Sequence, residues 1–176
     1  SNAGAIEIAD AATTVANSVV SVAAGGNITV NSFDATEAAI QSSLTINAGT
    51  NSAIFTNNKL VNVNNLTVSA DELALGTTID RIVAEGAIIL QQTTDAVVLS
   101  IGTSDTGFAI SNAEFQSIKG VSGTTVTLGK ASGAAVTQAG AVTSDNALTI
   151  RGSGLNFTDA NAITLGAGLA FTANIL

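Results

Sequence analysis

The side chains able to do chemistry in this sequence are few, and most are carboxylates: 13 acidic residues stand against five basic ones, with no His and no Cys. Without an imidazole or a thiol, the usual Ser–His and Cys–His nucleophile pairs cannot be assembled. A Ser–Lys pair would need Lys59, Lys119 or Lys130 beside a Ser, and Ser117 with Lys119 is the pair that lies close along the chain. Paired carboxylates have the stronger claim, because some β-helical proteins cleave polysaccharides. The candidates are Asp71 with Glu72, Asp80 with Glu85, and Asp95 with Asp145 brought together across coils. Glycosidases hold two carboxyl groups about 5–10 Å apart, in a cleft lined by aromatic rings on which sugars stack. This chain has no Trp and no Tyr. A lyase would have to draw its base from the lysines or from Arg81 and Arg151. The acids are scattered singly through turn-like segments, so the expectation is a protein that is not an enzyme and has no catalytic residues.

Metal binding is a weaker exclusion. Calcium takes oxygen ligands, and Asn, Asp, Ser and turn carbonyls are plentiful. Asp34 with Glu37, or Asp71 with Glu72, could hold calcium weakly, but neither the EF-hand loop nor the glycine-rich nonapeptide repeat is present. No metal ligand or cofactor-binding residue is therefore assigned. Gly152-Ser153-Gly154 and Gly166-Ala167-Gly168 lack the Lys and helix of a phosphate cradle and read as turns. Asn27-Ile28-Thr29, Asn65-Leu66-Thr67 and Asn156-Phe157-Thr158 fit the glycosylation sequon, which arises by coincidence in a chain with 23 Thr and 16 Asn.

The elements that would position these residues are strands. Apolar residues make up 46% of the 176 positions and charged ones only 10%, which is the reverse of a disordered polar chain. Thr, Asn, Ser and Gly dominate the polar half, and β-branched residues favour pleated surfaces. Scarce Lys, Glu, Gln and Arg with recurrent Gly argue against long helices. A net charge of −8 argues against nucleic acid, which needs clustered Lys and Arg, and against anionic lipid. No apolar run reaches the roughly 18 residues of a membrane helix. Ser1-Asn2-Ala3 reads as a tag scar or a processed terminus, leaving 4–176 as one domain.

A triplet of the form apolar-Thr-apolar keeps returning: Ile28-Thr29-Val30, Leu44-Thr45-Ile46, Leu66-Thr67-Val68, Val126-Thr127-Leu128, Leu148-Thr149-Ile150 and Ile163-Thr164-Leu165. Each reads as a short strand with alternating faces, separated from the next by Gly, Asn, Ser and Asp turns. Thr45 to Thr67 and Thr127 to Thr149 are both 22 positions, and a shift of 82 superposes the two pairs. The same shift lays Leu73 on Leu155, Leu75 on Phe157, Ile28 on Ile110, Phe33 on Phe115, and Ala87–Leu90 on Leu169–Thr172. These spacings predict an all-β fold, a right-handed parallel β-helix or β-solenoid of about eight coils of roughly 20 residues, duplicated after four. Short alternating strands with Gly turns also build a β-sandwich, which stays as the alternative. Segments 69–86 and 111–120 break the pattern. Solvated corners are the simpler reading, and a short helical turn capped by Ser69 or Ser111 is the other. Ile6-Glu7-Ile8 would pair as an edge or cap strand. An ice-binding face would need outward Thr on coil after coil, and the triplets skip coils, so none is expected.

The stretch Phe108 to Leu128, with Ser111-Asn112-Ala113-Glu114-Phe115, then Ile118, then Thr124-Thr125-Val126-Thr127-Leu128-Gly129, resembles a recurring unit of filamentous-haemagglutinin-like bacterial surface adhesins. Ser69-Ala70-Asp71-Glu72-Leu73 to Ile82 is similar in a looser way, and so is Leu148 to Leu176. That family's secretion module contains a Pro turn that this chain lacks, so the resemblance implies an interior fragment of a longer exported protein. It implies a secreted, cell-surface β-helical stalk or adhesin segment whose partners are a surface receptor, a glycan or neighbouring subunits. A self-assembling surface-layer or filament subunit, joined through strand edges as a homo-oligomer, is the alternative. A polysaccharide-active β-helix enzyme ranks lower.

Overall fold

A computed structural model describes residues 4–8, 11–12, 19–34, 42–55, 61–104, 106–120, 124–157, 161–166 and 171–175. Strand takes 56% of the chain and helix 5%, and the strands wind into a parallel β-solenoid of about six turns. All strand pairings among the described residues are parallel, which disposes of the antiparallel sandwich.

Each lap crosses three walls. Chain order begins with β1 (Ile6–Ile8), β2 (Ala11–Ala12), β3 (Val19–Ala23), β4 (Ile28–Val30) and β5 (Phe33–Asp34). Two long strands follow, β6 (Ser43–Phe55) and β8 (Leu66–Ala74), with β7 (Val61–Val63) between them. Next come β9 (Ile82–Ala84), β10 (Ile88–Gln91), β11 (Leu99–Ile101), β12 (Phe108–Ile110), the helix α1 (Asn112–Ser117) and β13 (Ile118–Gly120). The chain continues through β14 (Thr125–Leu128), β15 (Val136–Gln138), β16 (Val142–Ser144), β17 (Ala147–Gly152), β18 (Leu155–Asn156), β19 (Ile163–Leu165) and β20 (Phe171–Ile175).

The first wall stacks β3, the front of β6, the front of β8, β10, β14, β17 and β20. The second begins with β1, β4 and the ends of β6 and β8, and continues through β12, β11, β15 and β18. The third holds β2, β5, β7, β9 and β13, then β16 and β19 as a separate pair. Strands β6 and β8 are long because they turn the corner from first to second wall unbroken, with register shifts at Asn47/Gly49 and Gly49/Ser52.

Alternation explains the core. On the first wall Leu44, Leu66, Ile88, Val126 and Leu148 stack in register, and Ile46, Val68, Leu90, Leu128 and Ile150 form the next column. None of these ten is more than 1% exposed. Phe33, Val61, Ile82 and Ile118 do the same on the third wall. A coil alone would leave every one of these side chains in water, so stability comes from stacking. Truncating a buried Leu in such a column costs about 2–5 kcal/mol.

The predicted count of eight coils is too high, and the register shows why. Most laps are longer than 20 residues: Leu44 faces Leu66, which faces Ile88, each 22 positions on, and Val20 faces Leu44 after 24. One lap, from Ile88 to Val126, takes 38. The spacing of 82 therefore spans three unequal laps, from Leu44 to Val126, and not four equal ones. It still lands on matching walls at Leu73/Leu155 and Ile28/Ile110. Ile6-Glu7-Ile8 is an edge strand, as expected, paired with β4. Ser111 caps α1, whereas Ser69 caps nothing: it lies inside β8 and its Oγ accepts from Gln91 Nε2 at 3.0 Å.

Candidate functional site

The long lap builds a protrusion that departs from plain coiling. After crossing the second wall as β11, the chain turns through residues 102–107 and lays down β12 as a second parallel strand beneath it. Gly102 and Gly107, with φ of 81° and 100°, supply the left-handed backbone that this reversal needs. Strand β12 thus sits between β11 and the end of β8, where Leu73 N donates to Gly107 O at 3.2 Å. The second wall gains a storey that the other two lack, and α1 fills the space on the way to the third.

Glu114 fixes that helix in place. Its carboxylate closes a capping box, accepting from Ser111 N and Ser111 Oγ, both at 2.9 Å. Ser111 Oγ in turn accepts from Glu114 N. The other carboxylate oxygen accepts from Leu75 N at 2.9 Å, tying the helix to a lap 39 residues earlier. Ser117 Oγ donates to Glu114 O at 2.7 Å, and Phe115 seals the underside. Glu114 lies beneath a cavity of about 240 Å³ lined also by Glu72, Thr77, Ser104, Thr106 and Ser111. Its oxygens accept from two backbone N–H groups and a Ser hydroxyl, so it orders the wall of this cavity.

On the third wall α1 leaves a seam. Strand β13 pairs with β9 below, but it does not join β16 above. Two asparagines bridge the break: Asn112 Oδ1 accepts from Thr143 N at 2.7 Å, and Asn146 Nδ2 donates to Ile118 O at 3.1 Å. A cleft of about 230 Å³ opens there between Ile79, Phe115, Gln116, Ile118, Thr143 and Asp145.

At the corner between first and second walls, Asp71 accepts from Thr93 N at 2.9 Å and from Thr94 N at 2.7 Å, with Thr94 Oγ1 on its other oxygen. One lap higher Lys130 bonds to Thr93 O at 2.7 Å and pairs with Asp95, which also takes Ser132 Oγ at 3.3 Å. The Asp95 carboxyl is held below its usual range chiefly by the hydrogen bond from Lys130, opposed by some desolvation and helped by the Lys130 charge and Ser132.

The predicted chemical pairs do not come together as sites. Asp71 is spent on the Thr93–Thr94 turn, while its neighbour Glu72 accepts from Ser52 Oγ at 2.5 Å. Asp80 pairs with Lys119 at 2.9 Å, and Glu85 lies beyond β9. Asp95 belongs to the Lys130 corner and Asp145 to the third-wall cleft. Ser117 is buried under the helix while Lys119 reaches out to Asp80, so they form no nucleophile and base. Among the described residues no group of three or more acidic side chains could hold a metal ion. Glu37 and Lys59 lie outside the described residues, as does the Asp34 side chain, and so do Gly168 and Thr158 of the third sequon. The other two sequon amides work as structure. Asn65 Oδ1 accepts from Ala87 N at 2.8 Å while its Nδ2 donates to Ser43 Oγ, and Asn27 Oδ1 accepts from Ser52 N at 3.2 Å. Sequence reading missed the paired role of Glu114 as cap and inter-lap clamp. The Ser-x-x-Glu spacing signals the first but not the second.

No helix among the described residues is long and apolar enough to cross a membrane. Comparison with protein-family models, with curated proteins and with solved structures finds no match.

Proposed function

We propose that this chain is a non-enzymatic structural and adhesive segment, a rigid β-solenoid stalk that carries a displayed protrusion on the outside of a cell. The observation that carries the reading is the 38-residue lap: Ile88 still stacks on Val126 although a strand and a helix have been inserted between them. A scaffold that accepts an insertion on one wall without disturbing the ladder on another suits presentation of loops to a partner. The carboxylates spent on turns and caps support a role in recognition over one in turnover. The test is binding of the 176-residue chain to cell surfaces and glycan panels, set against a variant with 102–107 replaced by a Gly–Ser linker of equal length. Loss of binding in a variant that keeps its β-sheet circular dichroism supports the reading. Turnover of any polysaccharide by the parent chain overturns it.

A self-assembling subunit is the second reading, supported by β3 and β20, each of which pairs on one side only among the described residues. Sedimentation at rising concentration, with and without chelator, separates a monomeric rod from an assembling one.

A further inference from the structure

Four of the six Thr triplets share one wall, and as expected they skip a coil there, that of β10, where Ile88-Ile89-Leu90 stands in place of a triplet. On the first wall Thr45, Thr67, Ile89, Thr127 and Thr149 stand in register on five successive strands, Thr127 buried and the other four half-buried, and Thr172 follows on the next. The long lap that begins at β10 widens the sequence gap between Thr67 and Thr127, because its extra strand and helix sit off the first wall. Ile89 interrupts the column while keeping a branched methyl where Thr has one, and Ser21 holds the equivalent place on β3, facing Thr45. No other described residue engages the hydroxyls of Thr45, Thr67, Thr127 or Thr149.

The surroundings of this column are as distinctive as the column. Beside it stand Ser43, Asn65, Ala87, Thr125 and Ala147 on one flank, and Asn47, Ser69 and Gln91 on the other. The net charge is −8, yet this stretch of wall carries one ionisable side chain among its described residues, Arg151, on the flank beside Thr149. Asp71, Asp95 and Lys130 stand at the corner, Asp80 and Lys119 beyond the second wall. Directly behind the column lie Leu44, Leu66, Ile88, Val126 and Leu148, all at most 1% exposed, which hold the sheet fixed.

We propose that the first wall is an ice-binding surface. Parallel strands repeat every 4.7–4.9 Å, roughly, close to the spacing of oxygens along a row of hexagonal ice, and the Thr column repeats a hydroxyl and a methyl at that interval. An uncharged face can join a water lattice without stripping the hydration shell from an ion. Ordering of the array is complete on folding, so little side-chain freedom is lost at the crystal surface. Two other occupants fit less well. A crystalline polysaccharide would be met by Trp or Tyr, and the chain has neither. A second copy would need the apolar centre typical of subunit contacts, and here Ile89, Ala87 and Ala147 are scattered among a majority of hydroxyls and amides.

Ice-affinity partition of the folded 176-residue chain tests this: ice is grown slowly on a cold finger from a solution that also holds a globular control protein. Enrichment of the chain in the ice over the control is the expected result, with shaping of single ice crystals under the microscope. Thr67→Tyr and Thr149→Tyr place rings on the flat wall and should abolish the enrichment. Thr143→Tyr, on the third wall, should not. Thr67→Val, which keeps the methyl, separates a lost surface from a lost fold, as does circular dichroism of each variant. The proposal is overturned if the parent chain is excluded from ice as fully as the control, or if folded Thr67→Tyr partitions like the parent. A concentration-dependent dimer that dissociates in Thr67→Tyr would also overturn it, since a second copy would then cover the wall.

Discussion

Gly102 and Gly140 face each other across adjacent laps so closely that neither position has room for a side chain. A Cβ on Gly102 would lie 2.2 Å from Gly140 O, and one on Gly140 would lie 2.3 Å from Gly102 O. Gly102 also holds a φ of 81°. The contact lies where β11 and β15 leave the second wall, beside the hydrogen bond from Ala139 N to Ile101 O at 2.8 Å. Ala at either position must push two backbones apart, at a cost of about 2–4 kcal/mol. Urea denaturation should show each single variant destabilised and the double variant less than additive, because both act on one contact. A Gly140→Ala protein with an unchanged midpoint would contradict this packing.

Glu114→Gln removes one of two acceptor oxygens and turns an amide group toward donors. Leu75 N, Ser111 N and Ser111 Oγ all point at this carboxylate, so one buried donor loses its partner. The expected loss is about 1–3 kcal/mol. Faster hydrogen exchange at the amides of Leu75 and Ser111 distinguishes it from a general loosening.

Gln92 predicts the opposite sign. It is fully buried, and among the described residues neither its Nε2 nor its Oε1 has a hydrogen-bond partner. Gln92→Leu or Gln92→Met removes an unpaired amide from the interior and should raise stability by about 1 kcal/mol. A fall in melting temperature for both variants would show that water satisfies that amide.

The Lys130–Asp95 pair sets a pH dependence. Lys130 chiefly lowers the folded-state pKa of Asp95, so the stabilisation is complete above the ordinary carboxylate value and disappears as pH falls through the lowered one. Thermal melts of the parent and Asp95→Asn should therefore differ at neutral pH and converge in acid. At high salt the difference should also shrink, because Asp95 is exposed.

Much of this architecture is written in the triplets. An apolar-Thr-apolar unit recurring at 22 positions demands that like residues stack, and Leu44, Leu66 and Ile88 do. The lap count is not legible in the same way, because β11 and β12 are three-residue strands linked by a tight turn, and a periodicity that averages over windows cannot see an added storey. The helix was half visible: Ser111 and Glu114 have the spacing of a capping box, but six residues are too few to show an apolar stripe. The carboxylate pairs failed as sites because sequence distance is a poor guide in a coil. Asp71 and Glu72 are neighbours at the corner of β8, where the in-out alternation breaks and neither side chain enters the core. Asp71 finds Thr93 and Thr94 a lap above, and Glu72 finds Ser52 a lap below.

The break between β13 and β16 has a mechanical consequence. Above it three ladders carry load along the axis, but at that level, among the described residues, the third ladder is replaced by two side-chain bonds, from Asn146 and to Asn112. Tension along the rod is shared by two walls there, so the stack yields first on the side of the helix and bends away from it. Asn146→Ala, which deletes one of those bonds, would lower the force at which that level opens while leaving the laps on either side closed.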